Sequence, residues 1–267
     1  MEKHIIETAV QAAGRAGALL KDNLGRAGKI EYKGAVNIVT ELDKKSEDLI
    51  IETILKAFPG HGILTEEREE LKTKSPFRWI IDPLDGTTNY AHGFPFFCVA
   101  IAFEEAGVVK FGAVYDPMLD ELFTAEKGKG AYLNGRLIHV SDVEELGRSL
   151  LATGFPYDLR TSKDNNLDHF TAFTLRAQAI RRAGSAALDL CYIASGRFDG
   201  FWEMKLKPWD VAAASLIVKE AGGEMSDFKG EEFSIFGAEC LASNGLIHSE
   251  MLRVLMKKND KKTAFAG

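Results

Sequence analysis

Over residues 3–24 apolar side chains recur at Ile6, Ala9, Val10, Ala13, Ala16, Leu19 and Leu20, and Gly25 follows them. Intervals of three and four line one face of a helix, and a glycine just past the last turn is a natural stop. A polar connection runs through Gly34 to a second helical pattern. Thr40 or Asp43 can cap that helix, Ile50, Ile51, Ile54 and Leu55 give its core face, and it ends near Phe58 before Pro59-Gly60. Residues 61–67 then read as a short strand closing on Glu66 and Glu67, and the charged, proline-terminated stretch 68–76 as a mobile loop over the site described below. Trp79, Ile80 and Ile81 end a buried strand that should stop at Asp82, because Pro83 has no N–H to give a ladder.

Strand-like runs follow over 94–104, 108–115, 121–126, 130–133 and 136–140, joined by Glu105-Ala106-Gly107 and Asn134-Gly135, and they predict an antiparallel meander. Gly128-Lys129-Gly130 is read as a turn, since it lacks the spacing and the Ser/Thr of a nucleotide P-loop. From Leu146 the texture shifts to short strands alternating with helices: strands over 149–154, 179–182 and 200–203, and helices over 166–177, from 184, one that ends at Ala221 before Gly222-Gly223, and one over 247–256. The pattern predicts an α+β fold in one domain with two halves, about 1–145 and 146–267.

With 267 residues, 46% of them hydrophobic, the chain can bury a large core, and a net charge of −6 argues against a nucleic-acid surface. The pairs Lys257-Lys258 and Lys261-Lys262 read as a solvated tail. Cys98, Cys191 and Cys240 are odd in number and lack zinc spacing, which suggests structural thiols and a cytoplasmic setting. The longest apolar run, 96–103, is too short to span a bilayer, so no membrane contact is expected.

Chemistry concentrates in Asp82-Pro83-Leu84-Asp85-Gly86-Thr87-Thr88-Asn89-Tyr90. Asp-Pro and Asp-Gly are ordinary turn dipeptides. Here, however, two carboxylates precede a glycine and a helix start at Thr87-Thr88, whose exposed N–H groups attract an anion. Acids beside an anion site are compatible when a hard cation such as Mg²⁺ lies between them. Asp43 reads as a helix cap, Gly184-Ser185-Ala186-Ala187 as a helix start with free N–H groups or a close-packing contact, and Glu203 as a strand-end acid within reach of Lys205 or Lys207.

The 82–90 string resembles the first signature of the inositol monophosphatase family. Trp209-Asp210-Val211-Ala212-Ala213 followed by Glu220-Ala221-Gly222-Gly223 resembles its second, and Asn37 to Asp43 and 184–191 resemble intervening segments, in the family's order. Glu66 matches the first acid of the family's Gly-Glu-Glu, with Thr65 in place of the glycine. The resemblance implies a layered αβαβα sandwich and a single catalytic domain that hydrolyses phosphomonoesters, needs two or three Mg²⁺ ions, is lithium-sensitive and forms a homodimer. It further implies Glu66, Asp82, the Leu84 carbonyl, Asp85 and Asp210 as metal ligands, and Glu66 and Thr87, backed by Asp43, as the groups that activate water. Asp85, Gly86, Thr87, Gly184, Ser185, Ala186, Glu203 and Asp210 would meet the substrate. Inositol 1-phosphate is the first choice among substrates. Fructose 1,6-bisphosphate, with a second phosphate near Arg181, Arg182 or Lys205, and 3′-phosphoadenosine 5′-phosphate are alternatives, and a noncatalytic binding or regulatory protein is the alternative of another class. Three-residue spacing of the acids, with Pro83 after the first, argues against an aspartyl-phosphate mechanism, which sets its two acids two residues apart.

Overall fold

The structure, a computed structural model, describes residues 3–25, 30–32 and 38–256. Most of the polar connection before Ile38, with Gly34 and Asn37, and the lysine pairs beyond Met256 lie outside the described residues. The first helix, α1 (Lys3–Asp22), buries Ile5, Ala9, Ala12, Ala13, Ala16 and Leu20, so the expected stripe is turned slightly and leaves Ile6, Val10 and Leu19 half-buried. A small hairpin of β1 (Ile30–Tyr32) and β2 (Ile38–Thr40) leads into α2 (Glu41–Ala57). Thr40 caps α2, and Asp43 reaches back to the Thr40 N–H at 2.8 Å, so Asp43 is the returning acid of a capping box rather than the cap.

The large sheet holds β3 (Gly62–Thr65), β4 (Phe77–Asp85), β5 (Cys98–Glu105), β6 (Val108–Asp116), β7 (Glu121–Glu126), β8 (Ala131–Leu133) and β9 (Arg136–Ile138) in that order, with the one-turn helix α3 (Thr87–Ala91) between β4 and β5. β3 runs parallel to β4, and the rest is the predicted antiparallel meander. The Ala106-Gly107 and Asn134-Gly135 turns carry positive φ at both residues, as two-residue hairpin turns require. The Gly128 and Gly130 N–H groups are held by the Glu220 carboxylate at 2.7 and 2.9 Å, which fits a turn.

The small sheet takes β10 (Leu150–Thr153), β11 (Ala179–Arg181), β12 (Gly200–Met204), β13 (Glu224–Ser226) and β14 (Glu239–Ser243) in the order β11-β10-β12-β14-β13. Its helices are α4 (Leu167–Thr174), α5 (Ala186–Ala194), α6 (Pro208–Glu220) and α7 (His248–Met256).

Strand alternation sets the layers. Trp79, Ile81, Val99, Ile101 and Phe103 face α1 and α2, whereas Ile80, Cys98, Ala100, Ala102 and Val114 face α5 and α6. Those two helices also cover Ala152, Phe201 and Ala242 of the small sheet, whose opposite face packs Leu151, Trp202 and Leu241 against α4 and α7. The order is helix pair, sheet, helix pair, sheet, helix pair, which is the expected αβαβα sandwich. All three cysteines are buried and unpaired, and no helix among the described residues is long and apolar enough to cross a membrane.

Candidate active site

The decisive local feature lies in β4. Asp82 pairs with Ala100 and Asp85 with Cys98, so one extra residue is inserted between the acids as a β-bulge. In a regular strand, residues three apart point to opposite faces. The inserted residue returns Asp85 to the face of Asp82, and their partners Ala100 and Cys98 both lie on the α5/α6 side. The strand therefore does not stop at Asp82. Pro83 sits within the bulge, where a ladder donor is dispensable. Gly86 follows with φ +94°, and a Cβ there would lie 2.9 Å from the Phe96 carbonyl, so only glycine turns the chain into α3 without strain.

A cavity of about 500 Å³ opens above this bulge, between the two sheets' helix starts, and Glu66, Asp82, Leu84, Asp85, Gly86, Thr87, Gly184, Ser185, Ala186, Glu203 and Asp210 all line it. Asp43 stands behind the wall, almost fully buried, and its Oδ1 accepts a hydrogen bond from the Thr87 hydroxyl at 3.0 Å. The same hydroxyl lies 3.0 Å from the Leu84 carbonyl. Asp210 is the third residue of α6, and its carboxylate accepts from the Lys207 N–H at 2.7 Å. That bond fixes it at the helix start as the returning acid of a capping box.

At α5 the structure corrects an expectation. Ser185 caps the helix, and its hydroxyl donates to Asp85 Oδ2 at 2.6 Å; the Ala187 N–H donates to the same oxygen at 2.8 Å, and the Leu188 N–H to Ser185. These first-turn donors are occupied by protein groups rather than free for a substrate. The stretch 68–76 does not cover the cavity either. Leu71 exchanges backbone hydrogen bonds with Ile63 at 2.9 and 3.0 Å, and Arg68 reaches back to α2, so the segment is fastened along the sheet edge. Lys205 pairs with Asp158 at 2.8 Å rather than with Glu203. Of the basic groups named for a second phosphate, Arg182 and Lys205 line the cavity and Arg181 does not.

The electrostatics are those of crowded acids. Burial, then Glu66, Asp85 and Asp210, raise Asp82 well above the usual carboxylate range. Burial, then Asp85 and Glu66, do the same to Asp210. Burial pushes Asp85 up to about 6 against the bonds from Ser185 and Ala187, and burial, Asp210 and Asp85 push Glu203 up to about 8, with Arg182 pulling it down. Among the described residues no three His, Cys, Asp or Glu side chains are already gathered into a closed metal cage. The acids are instead spread around one wall, and their mutual repulsion suits a divalent cation that would draw them together; hard carboxylate oxygens are the donors magnesium selects.

Sequence reading passed over four groups here. Gly154 is the first: it lies directly against Glu203, and a Cβ on it would come within 2.2 Å of the Glu203 carboxylate oxygens. Asn89 donates at 2.8 Å to the carbonyls of Phe96 and Ala183, tying the first signature to the 184 segment. Asp189 lines the cavity and is buried, with Oδ1 lacking a hydrogen-bond partner among the described residues. Glu47 touches both neighbours of Glu66. Glycine at the end of β10 was a usable signal; the others depend on contacts across the fold.

Layering and cavity together define an αβαβα protein with an acid-walled cleft where strand bulge and helix starts meet. The sequence profile of the inositol monophosphatase family matches residues 1–262. An inositol-1-monophosphatase from Synechocystis sp. is 44% identical over 252 residues, 94% of this chain and 88% of the relative. The Escherichia coli K12 protein named Nus factor SuhB is 43% identical over 251 residues, covering 93% of this chain and 94% of that one. The solved inositol monophosphatase from Anabaena (Nostoc) sp. superposes with a TM-score of 0.87 at 45% identity, over 94% of this chain and 95% of the other. This chain belongs to the inositol monophosphatase family.

Proposed function

We propose that the protein is a Mg²⁺-dependent phosphomonoesterase that hydrolyses inositol 1-phosphate by direct attack of water. The observation that carries this reading is the bulge. It sets Asp82 and Asp85 on the face where Asp210 stands, beside a Thr87 hydroxyl already bonded to Asp43. Membership of a generally metal-dependent family and relatives named as inositol-1-monophosphatases support it.

Glu66, Asp82, the Leu84 carbonyl, Asp85 and Asp210 would hold two or three ions. Bound magnesium would offset the phosphoryl charge and acidify a water. The Thr87 hydroxyl donates to Asp43, so it could relay a proton, taking one from water in the cavity as it passes its own to the Asp43 carboxylate, and Glu66 is the second acceptor. The Gly86 and Thr87 N–H groups at the start of α3 would receive phosphate oxygens. Beyond them, Glu203 faces the cavity with its carboxyl packed close against Gly154, a wall that suits hydroxyl donors of a polyol better than a second anion. Gly184 and Ala186 shape the same wall.

The test is kcat/KM on one purified sample for inositol 1-phosphate, fructose 1,6-bisphosphate and 3′-phosphoadenosine 5′-phosphate, with Asp82→Asn as control. Inositol 1-phosphate should lead, and Asp82→Asn should lose roughly 10²–10³-fold at saturating Mg²⁺. Near-native turnover of Asp82→Asn would remove the metal assignment; a preference for the bisphosphate, received at Arg182, would change the substrate and leave the chemistry.

A further inference from the structure

Helix α2 presents Asp43, Ser46 and Glu47 on one face, at the three- and four-residue spacing that makes helix neighbours. Each fastens a different segment of the cavity wall. Asp43 holds Thr87, the Ser46 hydroxyl donates to the Pro83 carbonyl at 2.7 Å, and Glu47 takes the segment around Glu66. Glu47 is 1% exposed. Its Oε1 accepts from the Thr65 hydroxyl at 2.6 Å and from the Glu67 N–H at 3.0 Å, and its Oε2 accepts from Arg68 Nε at 2.6 Å. Glu66 is thus bracketed: the residue before it and the residue after it hang on one buried oxygen, and Arg68 compensates the charge that makes that oxygen a strong acceptor.

We propose that Glu47 is a positioning residue that fixes Glu66 in the orientation needed to grip a divalent cation, with Thr65 as its partner where the family pattern has glycine. The inference rests on the metal role proposed for Glu66 and adds the reason this chain keeps a threonine before it. A purely structural Glu47 would stabilise the sheet edge and leave cation affinity alone. A positioning Glu47 must change affinity in a protein that is still folded, because the two hydrogen bonds govern the backbone from which Glu66 projects.

The experiment is calorimetric titration of the full chain with Mg²⁺ alone, well below each variant's unfolding transition. Glu47→Ala should bind roughly 10–100-fold more weakly. Glu47→Gln keeps one oxygen to accept from Thr65 and Glu67 and should recover most of that loss while still lacking the Arg68 bond. Thr65→Val, nearly isosteric and missing only the hydroxyl, should fall between wild type and Glu47→Ala, and it decides the matter if the alanine variant does not fold. Wild-type affinity in folded Glu47→Ala, or in Thr65→Val where that variant decides, overturns the proposal. Absence of Mg²⁺ binding in the wild type would overturn both this inference and the metal reading beneath it.

Discussion

Asp189 carries a burial cost that no hydrogen bond from the described residues to its Oδ1 offsets. It is 2% exposed, and burial, then Glu203 and Asp85, raise its carboxyl well above the ordinary range. A carboxyl whose folded pKa is raised favours folding while protonated. Its contribution is full below the unfolded value of about 3.9 and is lost as pH rises towards and through the folded value. Asp189→Asn removes the ionisation and keeps the shape. The two proteins should match near pH 4, and the variant should gain stability over wild type at up to about 1.4 kcal/mol per pH unit above that. Urea unfolding in chelator from pH 4 to pH 8 measures this, and a pH-independent difference would defeat the argument. At this scale legibility was uneven. The Asp43–Thr87 pairing came from resemblance and is present at 3.0 Å, whereas Glu47 gave no signal because its partners lie 18 to 21 residues away.

Elements were read well where the pattern was long and poorly where backbone irregularity does the positioning. The meander and the long helices follow from period and turn chemistry. The bulge does not, because a proline in a strand announces a stop and gives no hint that pairing resumes after one extra residue. The start of α5 reads as a free donor array, yet Asp85 occupies it through a contact 100 residues away. Packing of α6 on the large sheet was equally silent. Gly112 in β6 lies so close to α6 that a Cβ would fall 2.5 Å from the Ala213 carbonyl oxygen, and that atom is backbone that cannot swing aside. Gly112→Ala should therefore destabilise the fold by about 1–3 kcal/mol, as overpacking does. Because α6 carries the proposed ligand Asp210, the same change should weaken Mg²⁺ binding, while a half-buried glycine such as Gly14, with open space around its missing Cβ, should accept alanine without that loss. Equal behaviour of the two variants in urea and in Mg²⁺ titration would contradict the close approach.

For the whole molecule, the αβαβα order was available from the sequence only through resemblance, since periodicity cannot say that two helices of the second half fill the space between both sheets. That arrangement has an energetic consequence. The cleft between the sheets is where Glu66, Asp82, Asp85 and Asp210 meet, and burial with mutual repulsion raises Asp82 and Asp210 well above their ordinary values. Near neutral pH the metal-free fold must then hold either protons or uncompensated charge in its centre, and both lower its stability. A cation that binds only the folded state returns that stability by mass action, about 2.7 kcal/mol at a hundredfold excess over Kd. For a chain of this size the melting temperature should rise roughly 5–10 °C in saturating Mg²⁺. Asp82→Asn should behave oppositely. With one buried charge removed it should melt above metal-free wild type, and with one of the proposed ligands removed it should gain little from Mg²⁺. Paired melting curves in chelator and in Mg²⁺ test this directly: a metal-free Asp82→Asn less stable than wild type, yet still stabilised by Mg²⁺, would mean that Asp82 is held for packing and that the cleft's acids are not set against one another for a cation.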